Sequence, residues 1–166
     1  MTNIEQLMAA NERYAAGNPQ LPSKAIPVQH VAILTCMDVR IDPLSAFGLS
    51  LGEAHVLRNA GGRVTEDVVR SLAVSQQMLG TRLAIVMPHT HCGMLGLEDS
   101  AVRPQKPIAG EPVQFLGISN LETDLKSDLQ VLKRSIWIPD SIIIAGFIFD
   151  VNTGRARLVE ILGQDE

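Results

Sequence analysis

Two cysteines, Cys36 and Cys92, occur in this chain, and each has polar neighbours at short spacing. Cys36 is followed by Asp38 and Arg40, and Cys92 follows His89 by three residues. Zinc prefers thiolate and imidazole ligands in tetrahedral geometry, so Cys36, His89 and Cys92 could supply three ligands. The fourth position would then be left for water or for the carboxylate of Asp38.

The segments before the two cysteines help to distinguish a metal site from two thiols buried in a core. Isolated cysteines often pack in a core as small apolar residues, and that reading applies to either thiol alone. Here Val31–Leu34 and Leu83–Met87 are apolar runs of strand length that end just before the polar residues. Open α/β sheets place their sites at the carboxyl ends of strands. Two motifs that both agree with this rule favour a metal site.

Strands and helices alternate in the predicted order of elements. We expect one domain over residues 1–166, of α/β class, with a mostly parallel central sheet flanked by helices. Prolines make the segment 95–117 a loop rather than a helix or strand. The predicted helices are 4–16, a short turn at 44–49, one capped by Thr65 and one capped by Ser119; the predicted strands are 30–36, 54–58, 83–87, 142–149 and an antiparallel edge strand 155–161.

The composition excludes several classes of function. Of the 166 residues 46% are hydrophobic, which is ample for a core, and the formal net charge of −4 gives no sign of nucleic-acid binding. No apolar run approaches the ~20 residues that span a bilayer, and the first residues do not resemble a signal peptide. We therefore expect a cytoplasmic protein with no membrane partner, whose two thiols are free rather than joined.

Three blocks of residues together resemble the β-class carbonic anhydrases. The blocks are Cys36-x-Asp38-x-Arg40, then Arg58-Asn59-Ala60-Gly61, then His89-x-x-Cys92-Gly93. The resemblance covers nearly the whole chain. It implies the strand order 2-1-3-4, with the antiparallel fifth strand at the edge. It also implies a homodimer, with a tetramer as a further assembly, in which the N-terminal helix packs on the partner subunit.

The resemblance further implies a reaction and roles for individual residues. Zn²⁺ would be held by Cys36, His89 and Cys92, and a zinc-bound hydroxide would hydrate CO₂ reversibly to bicarbonate. The pair of Asp38 and Arg40 would orient that hydroxide, and Asp38 could itself become the fourth ligand in a closed state. The backbone near the substrate would come from the positions Gly93, Ala60 and Gly61. His91 stands where many members have aspartate and is a candidate proton shuttle.

Two other functions are compatible with these residues. The same zinc site could make the protein a hydrolase of carbonyl sulfide or carbon disulfide, because these molecules resemble CO₂ in shape. The pocket walls would separate these activities, and the sequence does not reveal them. Alternatively the zinc could be structural, with Asp38 as a permanent ligand, although the Asp38–Arg40 pair would then have no purpose.

Overall fold

The computed structural model describes residues 3–105 and 113–163 of the chain. Its helices and strands alternate, as predicted. The strands are β1 (Val31–Cys36), β2 (Ala54–Asn59), β3 (Leu83–Met87), β4 (Ile143–Phe149) and β5 (Ala156–Leu162). The helices are α1 (Ile4–Ala16), α2 (Pro43–Ala46), α3 (Glu66–Gln77) and α4 (Leu121–Arg134), with short 3₁₀ turns at Ala60–Gly62 and Asp99–Ala101.

One five-stranded sheet organises the fold, with the strands in the order β2-β1-β3-β4-β5. The pairs β1–β2, β1–β3 and β3–β4 are parallel, and β4–β5 is antiparallel. The α/β class, the strand order and the antiparallel edge strand are therefore confirmed. Consecutive parallel strands need long crossover connections, and helix α3 lies in the one from β2 to β3, which pair with opposite edges of β1.

Apolar residues pack on both faces of the sheet, which explains why β1 and β3 are nearly continuous apolar runs. On one face Ala32 and Leu34 of β1 belong to a cluster with residues of α3 and α4. On the other face Ile33 and Cys36 belong to a second cluster, which also contains Cys92. The two thiols thus lie inside the second cluster, at the carboxyl end of the sheet.

The helix caps agree with the sequence at α3 and differ at α4. The hydroxyl of Thr65 accepts a hydrogen bond from the backbone of Val68 at 3.4 Å, as predicted. The prediction that Ser119 caps α4 is wrong, because the side chain of Asn120 accepts from the first backbone amides of the helix. Ser119 instead donates its backbone N–H and its hydroxyl to the carboxylate of Asp124.

Helix α1 has the predicted bounds, yet it buries no residue within this chain, and Ile4, Leu7, Met8 and Tyr14 on it are exposed. In the irregular segment predicted at 95–117, residues 106–112 lie outside the described part, and the rest carries one 3₁₀ turn at 99–101. Among the described helices, none combines the length and the apolar character that a membrane span requires.

Candidate metal centre

The structure brings Cys36, His89 and Cys92 together at the carboxyl ends of β1 and β3. One possible ligand atom from each residue lies within 4.8 Å of the others, and all three residues are buried. The cause is topological. Cys36 is the last residue of β1, and the loop with the other two follows β3, its parallel neighbour. Parallel neighbours end at the same edge, so residues more than fifty positions apart meet there.

The geometry of the three residues fits a tetrahedral zinc ion. The Sγ atoms of Cys36 and Cys92 are 3.9 Å apart, close to the ~3.8 Å that follows from zinc–sulfur bonds of about 2.3 Å in a tetrahedron. The imidazole of His89 donates from Nδ1 to the carbonyl of Thr90 at 2.9 Å, because a carbonyl can only accept. Its Nε2 therefore carries the lone pair, and this buried atom has no hydrogen-bond partner among the residues that the structure describes.

Burial affects the protonation of His89 and Cys92 in the metal-free site. It lowers the pKa of His89, so the imidazole is neutral and can act as a ligand. It raises the pKa of Cys92, so that thiol keeps its proton until a cation displaces it. Metal affinity at this site should therefore fall as the pH falls, because protons compete with the metal for the thiolates.

Asp38 and Arg40 form a two-pronged ion pair at the border of this site. The guanidinium donates from Nε to Oδ1 at 2.9 Å and from Nη2 to Oδ2 at 2.7 Å, and the backbone N–H of Arg40 also reaches Oδ1 at 2.9 Å. These bonds hold the pKa of Asp38 far below its usual range, so the carboxylate stays ionised. Its Oδ2 lies 3.8 Å from Nε2 of His89, beside the space enclosed by the three ligands.

His91 contributes its backbone to the site. Its carbonyl accepts a hydrogen bond from Nη2 of Arg40 at 3.0 Å, which ties the loop after β3 to the loop after β1. The residue has a φ of 54°, in the left-handed region where histidine is enriched among non-glycine residues. Its side chain is exposed, and its role as a proton shuttle stays a prediction.

The candidate substrate-binding positions fall into two groups. Ala60 and Gly61 lie in the turn after β2, where Gly61 has a φ of 80° and is buried. The next residue, Gly62, has a φ of 66°, and a Cβ there would lie 2.9 Å from the backbone of Thr35 and 3.0 Å from that of Cys36. Gly93 is exposed, and a Cβ on it would meet nothing within 4 Å of the described chain.

Several residues that support the site were not assigned a role from sequence. Arg58 donates to the carbonyls of Cys36 and Asp38 at 3.0 and 2.6 Å. Arg63, next to the glycine turn, forms a buried ion pair with Asp128 of α4 at 2.8 Å. No local pattern in the sequence pairs residues this distant, although the Arg58 block was part of the resemblance.

The chain is similar to known proteins in sequence and in fold. A family model described as carbonic anhydrase matches residues 31–116. Beta-carbonic anhydrase 1 of Mycobacterium tuberculosis is 38% identical, over 96% of this chain and 99% of its own. A carbon disulfide hydrolase of Acidianus sp. is 30% identical, over 75% of this chain and 74% of its own. The crystal structure of a carbonic anhydrase from Streptococcus mutans has a TM-score of 0.82 at 39% identity, covering 96% of this chain and 99% of that one.

Proposed function

Because the chain belongs to the β-class carbonic anhydrase family, we propose that it catalyses the reversible hydration of CO₂ to bicarbonate with zinc as cofactor. The supporting observation is the buried Cys36–His89–Cys92 group beside an ionised Asp38 that is held by Arg40. Zinc held by these three residues would supply a Lewis acid that makes a water molecule acidic near neutral pH.

The protein's own residues would orient the reacting water. An ionised carboxylate only accepts hydrogen bonds, so Asp38 would accept one from the attacking oxygen and turn its lone pair toward the carbon of CO₂. Arg40 would keep Asp38 in this role by occupying both carboxylate oxygens. The new C–O bond gives bicarbonate, and one proton per turnover passes to solvent, with exposed His91 as the proposed carrier.

The remaining site assignments follow from the same proposal. The backbone at Ala60, Gly61 and Gly93 would lie beside the substrate, and the open space at Gly93 supports this for that residue. Two thiolates donate more electron density than imidazoles, so we expect activity to rise toward alkaline pH. Full turnover of His91→Ala in dilute buffer would contradict the proton-carrier role of His91 and leave the rest intact.

A second candidate is hydrolysis of carbonyl sulfide or carbon disulfide at the same site. It is favoured by relatives named carbon disulfide hydrolase, which include the 30% identical Acidianus protein. Side-by-side turnover of the zinc-loaded protein with CO₂ and carbonyl sulfide, at about pH 8.5, separates the two. A much higher kcat/KM for CO₂ supports the carbonic anhydrase proposal, whereas strong carbonyl sulfide hydrolysis with weak CO₂ hydration supports the alternative.

A third candidate is a structural zinc site with Asp38 as a permanent ligand. The two-pronged pairing of Asp38 with Arg40 favours a catalytic role instead, since both carboxylate oxygens already have a cationic partner. Two results together would favour the structural role: no turnover with either substrate, and a visible spectrum of the cobalt-loaded, unmodified protein that shows carboxylate coordination.

We also propose a homodimer, with a tetramer as a further assembly, in which α1 of each copy packs on the other. Three apolar side chains of α1, those of Ile4, Leu7 and Met8, are 60–75% exposed in the single chain. A second apolar surface lies along α3, in a groove whose lining includes Met78 and Trp137. A partner would bury both surfaces.

Sedimentation at micromolar concentration tests the dimer. We expect Leu7→Lys to yield a monomer, because it places a charge in the apolar stripe of α1. The matched control is Ala16→Lys, which adds the same charge to the same helix on the side away from that stripe and should leave the dimer intact. A monomeric unmodified protein would contradict the proposal.

The single domain over 1–166 and the cytoplasmic location stay predictions.

A further inference from the structure

Arg58 connects the end of β2 to the loop that carries two of the proposed functional residues. Its Nε donates to the carbonyl of Cys36 at 3.0 Å, and its Nη2 donates to the carbonyl of Asp38 at 2.6 Å. One guanidinium thus bridges the carbonyls on either side of Met37. Among the described residues no carboxylate lies within salt-bridge distance of Arg58, so these two carbonyls are its main partners.

The two bonds matter because they tie this loop to the end of β2. The backbone N–H of Met37 donates to the carbonyl of Asn59 at 2.9 Å, the last backbone bond between β2 and this loop. Beyond it, Met37 and Val39 are exposed, with Val39 at 98%. The carbonyl of Asp38 also accepts a hydrogen bond from the backbone N–H of Ile41 at 3.2 Å, but that bond lies within the loop itself. Arg58 therefore links this carbonyl to β2, and bonds from a cationic donor are the stronger kind.

The backbone and the side chain of Asp38 are held by two different arginines. Arg58 fixes the carbonyl of Asp38, and Arg40 fixes its carboxylate. With both in place, Oδ2 points to Arg40 and lies 3.8 Å from Nε2 of His89. A small rotation of the loop at Asp38 would change the direction of that carboxylate, because the side chain is short and turns with its backbone.

We propose that Arg58 is a positioning residue that keeps the carboxylate of Asp38 paired with Arg40 and off the metal. This inference rests on the proposed function for the role of Asp38. Without the bridge from Arg58, the loop gains the freedom that lets Asp38 become a metal ligand. Arg58 acts only through the backbone of Cys36 and Asp38, so it is not a catalytic residue.

The test uses the cobalt-loaded full-length protein, because the visible spectrum of cobalt reports its ligands directly. We expect Arg58→Met to change the spectrum and to reduce kcat/KM for CO₂ by about 10- to 100-fold, the range found when residues that support metal ligands are removed. Arg134→Met is the matched control, since Arg134 is an exposed arginine in the last turn of α4, outside both the site and the proposed interface. It should leave both readouts unchanged.

A background without the carboxylate shows whether the change passes through Asp38. In Asp38→Asn protein, the further change Arg58→Met should leave the cobalt spectrum as it is, because no carboxylate remains to bind. If Arg58→Met alters the spectrum equally in both backgrounds, or leaves it unchanged in the Asp38-containing protein, the proposal is wrong.

If Arg58→Met does not fold, Arg58→Lys takes its place, because lysine keeps the charge but cannot bridge two carbonyls in the same way. We expect the same Asp38-dependent spectral change with this variant, and its absence would refute the proposal. The cobalt spectrum does not require turnover. Inactivity of the unmodified protein toward CO₂ would therefore overturn the proposed function, but the effect of Arg58→Met on the spectrum could still be measured.

Discussion

The buried ion pair between Arg63 and Asp128 is expected to control the stability of the fold near the site. The guanidinium donates from Nε to Oδ2 at 2.8 Å and from Nη2 to Oδ1 at 3.2 Å, and the backbone of Val64 donates to Oδ2 at 3.1 Å. The two side chains are only 12% and 7% exposed. The pair thereby fastens the glycine turn after β2 to helix α4.

Removing one partner should cost far more than removing both. Arg63→Met leaves the carboxylate of Asp128 buried without its cation, which should lower the free energy of unfolding by about 3–5 kcal/mol. For a chain of this size that loss corresponds to a Tm lower by about 6–20 °C. The double variant Arg63→Met with Asp128→Leu removes both charges, and it should recover a large part of the loss.

Urea unfolding followed by circular dichroism measures these differences, at one protein concentration and one zinc concentration. The control cycle uses Arg70→Met and Asp67→Leu, whose exposed ion pair has side chains 72% and 74% accessible. Pairs of this kind contribute only ~0.2–1 kcal/mol. The reasoning is refuted if Arg63→Met costs no more than Arg70→Met, or if the two changes at 63 and 128 add without coupling.

Three more predictions concern the metal site and helix α4. Cys92→Ser should weaken zinc binding more than the ~100-fold lost with outer-shell partners, as measured by competition with a chelator. Gly62→Ala should weaken zinc binding, because its Cβ would press on the backbone of β1. Gly154 is the control position, since it also has a positive φ (71°) but has open space around it. Gly154→Ala should therefore cost only the ~1–2 kcal/mol of a left-handed residue, measured by urea unfolding. Asp124→Asn should lower the unfolding free energy by about 1 kcal/mol at pH 7. Burial raises the pKa of Asp124, but the backbone hydrogen bonds from Asn120 and Ser119 outweigh it and hold that pKa below 3.8. Urea unfolding at several pH values tests this. The difference in unfolding free energy between the two proteins should persist above pH 3.8 and vanish as the pH falls through the folded-state pKa of Asp124.

Local patterns in the sequence determined the class of fold and the neighbourhood of the site. Apolar runs of strand length alternating with helical spacing are local properties, and they indicated the five strands and the four helices. Cys36 and Cys92 each follow such a run, so the rule for strand ends already brought them together. The strand order came from the resemblance to a family, because periodicity does not say which strands are neighbours.

Only the tertiary structure decided how the site is supported. Arg63 and Asp128 are 65 positions apart, and Arg58 lies 20 positions from Asp38. Whether a charged side chain finds a carboxylate, a carbonyl or solvent depends on packing between elements, which leaves no trace in local spacing. The N-cap of α4 shows that the sequence can leave even adjacent residues undecided, since Ser119 and Asn120 are both good caps by type. In the structure Ser119 donates its hydrogen bonds to Asp124, and the side chain of Asn120 accepts from the first backbone amides of the helix.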